Sequence, residues 1–158
     1  MKAVAEAGRR VLILGGWAPL TVFLLHSFAS RVLDAYAVWP HTDIPMHLAG
    51  GAAMAFFLSQ LFRALPREVV RSSRLVVLEL VLIGSLTATA AVFWEFAEFT
   101  CDRIFGTNIQ VSLANTMQDM ALGIVGALGF MGARARQLRA GRRELREVAR
   151  EWMTGEAA

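Results

Sequence analysis

At 158 residues the chain is one domain's worth, yet 56% of it is hydrophobic and its mean hydropathy is +0.48. That is too apolar for an ordinary soluble domain of this size and points to the membrane class. The single cysteine, Cys101, excludes an internal disulfide framework and any cysteine-based metal site. An isoelectric point near 10.0 would suit a nucleic-acid binder, but the basic residues stand in blocks flanking apolar runs, a topology signal, and no nucleic-acid partner is expected.

Four apolar stretches follow in chain order: Val11 to Phe28, Met46 to Phe62, Leu75 to Thr100, and Met117 to Gly132. Each is close to the roughly 20 residues a helix needs to cross a bilayer. None has the two-residue alternation of a barrel strand, and only helices or closed barrels satisfy the backbone in lipid. The expected fold class is all-α: a four-helix transmembrane bundle over residues 1–132, with Pro40, Pro45, Pro66 and Gly106 as punctuation. Residues 133–158 form the remainder. There Leu138, Leu145, Val148 and Trp152 recur at roughly helical spacing among arginines. This favours a basic amphipathic helix on anionic inner-leaflet lipids over a nucleic-acid arm.

Lys2, Arg9 and Arg10 precede the first stretch. Arg63, Arg67, Arg71 and Arg74 separate the second from the third, and Arg134, Arg136, Arg139, Arg142, Arg143, Arg146 and Arg150 follow the fourth. Only Arg31 and Arg103, of 16 basic residues, fall on the other side. The positive-inside rule then puts both termini in the cytoplasm of a bacterial cell, with the chain multi-pass in the inner membrane. A cleavable signal peptide ending near Ala29 is the competing reading of the first stretch, but its apolar run is long for such a segment.

This topology gathers the polar residues at the outer end. His26 closes the first stretch, Asp43 and His47 open the second, Glu95, Glu98 and Asp102 close the third, and Asn115, Thr116 and Asp119 open the fourth. Glu95 and Glu98 share a helical face at i, i+3, and Asp43 and His47 share one at i, i+4. Small residues run inward from each group: Gly50 and Gly51 after His47, Ala88 and Ala91 before Glu95, Gly123 and Gly126 after Asp119. Small faces let membrane helices approach closely, so the polar groups are expected to converge on one another. A charge at the bilayer centre costs about 2.5–3.5 kcal/mol on insertion scales, so such a cluster calls for pairing, protonation or a bound cation. Carboxylate oxygens with an imidazole nitrogen suit a divalent metal, and a metal with an open position beside a carboxylate base can activate water. The expected ligands are His47, Glu95, Glu98 and Asp119, with Asp43 as ligand or orienting group.

Plainer roles compete at each position. Asp43, ahead of Pro45, has the pattern of a helix N-cap, and Asn115 or Thr116 has it for the fourth helix. Asp102 beside Arg103 reads as an interfacial ion pair. His47 alone reads as a hydrogen-bonded polar residue. Glu79 lies at the inner end of the third stretch, where it can pair with Arg71 or Arg74, and Trp39, Trp94 and Tyr36 fit an interfacial aromatic belt.

The segments "DIPMHLAGG", "WEFAEF" and "NTMQDMALGIVGALG" resemble the YjdF-like family of small bacterial inner-membrane proteins and, more distantly, VanZ-like membrane proteins. The resemblance covers roughly residues 40 to 130 and falls on Asp43, His47, Trp94, Glu95, Glu98, Thr116, Asp119 and Met120. Asn115 stands where the family pattern has an aspartate, keeping an oxygen but losing the charge. The resemblance groups these residues and implies no reaction. Two functions are therefore weighed: a metal-assisted hydrolase or transferase acting on a lipid-linked or envelope substrate, and a non-catalytic accessory subunit with a membrane-protein partner. A cation or proton carrier is the weaker third, since the deep carboxylates stand at one end only.

Overall fold

The computed structural model describes residues 2–64 and 73–154. Pro66, Arg67 and Arg71 lie outside the described residues, as do the side chains of Arg74 and of the tail beyond residue 137. All regular elements among the described residues are helical: α1 (Lys2–Val11), a π-helical turn (Leu12–Gly16), α2 (Trp17–Arg31), α3 (Ala35–Val38), a 3-10 turn (Pro40–Thr42), α4 (Asp43–Arg63), α5 (Ser73–Phe105) and α6 (Leu113–Thr154). Among the described residues, three stretches are long and apolar enough to cross a membrane: Gly8–Arg31, Asp43–Arg63 and Val77–Phe105.

The first of these is bent. Gly15 adopts φ 113°, a conformation that costs glycine little and other residues much, and this kinks the helix at the π-helical turn. A Cβ there would press within 3.1 Å of the Phe56 ring, so the kink also sets how α2 leans on α4. At the far end of α5, Gly106 takes φ 66° and donates its N–H to the Asp102 carbonyl at 3.0 Å, a left-handed helix ending. Ser112 starts α6 by accepting the Asn115 backbone N–H on its hydroxyl at 3.1 Å. Ser112, and neither Asn115 nor Thr116, is thus the cap of this helix.

The tightest seam joins α4 to α6. A Cβ on Gly51 would fall far inside contact with the Gly123 carbonyl oxygen, and one on Gly126 would collide with the Leu48 carbonyl. The two backbones touch, which is what small-residue faces permit. Below this seam Ala55, Ile83 and Ala127 form a closed core, flanked by Leu58, Phe62, Phe130 and Met131.

The distribution of polarity is inverted relative to a soluble domain. Leu24, Val81 and Phe93 are more than half exposed, while Ser59, Glu79, Thr87, Glu95 and Asp119 are buried. Apolar surface on this scale has no stable partner in water and matches hydrocarbon. Beyond the seam α6 continues unbroken to Thr154, so the fourth apolar stretch and the basic tail share one helix.

Candidate functional site

Three side chains converge at the end of the bundle where α4 and α6 begin. His47 lies one turn into α4, so its ring sits above Asp43 of the same face, with Nε2 3.2 Å from Asp43 Oδ1. The α4–α6 seam brings in Asp119, whose Oδ1 lies 3.9 Å from the same Nε2. One ligand-capable atom from each of Asp43, His47 and Asp119 lies within 4.8 Å of the others. Asp119 is only 3% exposed, and its Oδ1 has no hydrogen-bond partner. A buried carboxylate oxygen without a partner is costly. Metal–ligand bonds of about 2.0–2.2 Å place neighbouring ligand atoms roughly 3–3.6 Å apart; the Asp43–His47 pair stands at such a spacing and the His47–Asp119 pair is wider.

Asp43 is not the helix cap its sequence context suggested. Thr42 holds that position without a side-chain bond, because the 3-10 turn leads directly into α4. Asp43 Oδ2 instead accepts the Asn115 side-chain amide at 3.2 Å, which orients its other oxygen toward His47. Asn115, absent from the expected ligand set, thus positions a member of the trio, as groups behind metal ligands commonly do.

Glu95 and Glu98 lie beside the trio but outside it. Glu95, 4% exposed, accepts the Gln110 amide on its carbonyl and on Oε2, at 3.0 and 3.1 Å. Glu98 accepts the Trp94 indole N–H at 2.7 Å. Trp94 is therefore turned toward α2, where its ring meets Phe23 and His26 edge-on at 6.0 and 5.7 Å. His26 Nδ1 in turn lies 2.6 Å from the Tyr36 hydroxyl. Burial, reinforced by the charges of Asp43, Glu98 and Asp119, holds the Tyr36 proton well above the ordinary phenol range.

Asp102 does not pair with Arg103. Its carboxylate accepts the Thr107 hydroxyl and the Ile109 and Gln110 backbone N–H groups at 2.6, 2.8 and 2.9 Å, and so folds the α5–α6 loop. Arg103 lies over the Phe99 ring at 5.3 Å instead. Asp102 thereby delivers Gln110 to Glu95, a link that no local spacing announces.

An apolar cavity of about 160 Å³ extends inward from His47, with Gly50, Met54, Ala91 and Trp94 among its walls. Long apolar-faced helices around a buried acid–histidine cluster define an all-helical membrane protein with a polar site between its helices. The chain belongs to the predicted membrane protein family DUF2238, whose model matches residues 14–140 and so takes in every residue of the site. No curated protein matches the chain, nor does any solved structure.

Proposed function

We propose that this protein is a multi-pass protein of the bacterial inner membrane, with four spans and both termini cytoplasmic, whose Asp43, His47 and Asp119 bind a divalent cation at the outer end of the bundle. The residues of α6 from Leu113 to Gly132 lie against α4 and α5 and supply the fourth span, since 20 helical residues measure about 30 Å. The likeness to YjdF-like and VanZ-like proteins belongs to the same reading, resting on Asp43, His47, Trp94, Glu95, Glu98, Thr116, Asp119 and Met120. The arginines after Gly132 keep the distal part of α6 at the anionic inner leaflet.

One observation carries the metal reading: Asp119 Oδ1 is buried without a partner and points at an imidazole nitrogen already shared with Asp43. Two carboxylates and an imidazole complete three positions of a coordination shell and leave others for water and substrate, the arrangement of catalytic and not of structural zinc sites. Such a metal supplies Lewis acidity and an activated water, and suits hydrolysis or transfer on a lipid-linked or envelope substrate. Asn115 fixes Asp43. Glu95 and Glu98 are held beside the trio by Gln110 and Trp94.

Protein purified without chelator is expected to carry stoichiometric divalent metal by elemental analysis, and His47→Ala and Asp119→Asn to lose it while remaining folded. Metal-free wild-type protein with intact helices would sink the reading. Stoichiometric co-purification of another membrane protein by that metal-free form would favour the accessory-subunit role.

A further inference from the structure

The cavity beneath His47 has features that the metal reading does not use. Its walls come from four helices: Phe23 of α2, Gly50 and Met54 of α4, Thr87 and Ala91 of α5, and Gly123 of α6. It lies within the apolar stretches and has both His26 and His47 on its wall. It is not sealed laterally: α2 packs along α4, while its close approaches to α5 are few, and the ring contacts of Trp94 with Phe23 and His26 bridge them. The cavity is thus continuous with the lipid-facing surface.

Water has few polar partners in such a lining, and apolar cavities of about 150 Å³ stay dry and accept a benzene-sized hydrocarbon. The space suits a short stretch of alkyl chain. Thr87 is among the walls but only 1% exposed, and its hydroxyl is closed off from the space, so the lining there stays apolar.

Resting on the metal reading for where the headgroup sits, we propose that this cavity receives an acyl chain of a membrane lipid. The lipid enters sideways between α2 and α5, and its headgroup lies at Asp43, His47 and Asp119. The site then acts on a lipid held in the membrane plane and does not draw its substrate from the aqueous phase. Gly50 is the position where added bulk blocks the chain without striking a helix, since the nearest atom to a Cβ there is Val22 Cγ1 at 4.0 Å.

The test uses full-length protein in vesicles of phosphatidylethanolamine and phosphatidylglycerol, the latter including a form with a diazirine in one acyl chain. After irradiation, labelled peptides are mapped by mass spectrometry. Label is expected to concentrate on the cavity-facing positions of α2 and α5, to vanish there in Gly50→Leu, and to fall partway in Gly50→Ala, whose single methyl meets nothing closer than Val22 Cγ1 at 4.0 Å and so leaves the bundle packed. Label spread evenly over exposed positions such as Leu20, Leu24 and Val81, and unchanged by both substitutions, would overturn the proposal. Metal content is measured on the same samples. Metal-free protein that keeps the cavity label refutes the metal reading alone, and metal-loaded protein without cavity label refutes the lipid pocket alone.

Discussion

Replacing Gly51 by alanine adds one methyl group at the point where α4 and α6 touch. The new Cβ falls far inside contact with the Gly123 carbonyl oxygen, a backbone atom that cannot swing aside. To restore an ordinary carbon–oxygen separation of roughly 3.3–3.6 Å the helices must part by an ångström or more. A gap of 0.5–1 Å already forfeits about a quarter to a half of each dispersion contact, and overpacking a close interface costs about 1–3 kcal/mol. Gly129 in α6 is the control, because a Cβ there meets nothing within 4 Å and alanine gains about 0.5–1 kcal/mol over glycine in a helix interior. That gain is common to both helix positions and cancels, so the two variants are expected to differ by the overpacking cost, about 2 kcal/mol, roughly thirtyfold in the unfolding equilibrium. Reversible unfolding in mixed micelles, followed by circular dichroism, measures the difference. Gly51→Ala is also expected to bind metal more weakly, since parting α4 from α6 withdraws Asp119 from His47. Equal stability of Gly51→Ala and Gly129→Ala would refute the direct backbone seam and with it the geometry of the trio.

Asn115→Asp restores the acid of the resembling family and sets a second carboxylate at Asp43 Oδ2, where an amide now donates at 3.2 Å. The metal-free protein should lose about 1.5–3 kcal/mol, the worth of a hydrogen bond to a charged group, while metal affinity by titration rises. Asp102→Ala removes the acceptor that folds residues 107–110, so limited proteolysis should cut the α5–α6 loop that resists it in the parent protein. Acidification should release the metal, because imidazole and carboxylates ligate only when deprotonated, and dialysis at stepped pH with metal analysis checks the order. A reporter fused after Ala158 should behave as cytoplasmic, and outer exposure would reverse the assignment of the site to the outer face.

The long apolar helices were legible because membrane insertion imposes length and composition on each segment separately. The i, i+4 pairing of Asp43 with His47 and the convergence with Asp119 through glycine faces followed from helical geometry. Sequence did not separate Gly51 and Gly126, which touch the neighbouring backbone, from Gly50 and Gly123, which face the cavity and Ala91, since the rotation of each helix about its axis is set by its partners and not by its own residues. Asp43 reads locally as a cap, and only the approach of α6 gives it Asn115. Asp102 pairs with its own loop, and Gln110 reaches Glu95 across 15 residues, so these partners depend on how the chain turns after Gly106. Trp94 has the position of an interfacial tryptophan, and its turn toward α2 depends on Glu98 and the kinked first span.

X-ray absorption at the edge of the bound metal tests the central claim most directly. The expected shell holds one imidazole nitrogen and carboxylate oxygens at about 2.0–2.2 Å, with the imidazole scattering lost in His47→Ala. A shell of oxygens alone, or a metal signal unchanged by His47→Ala and Asp119→Asn, would contradict it.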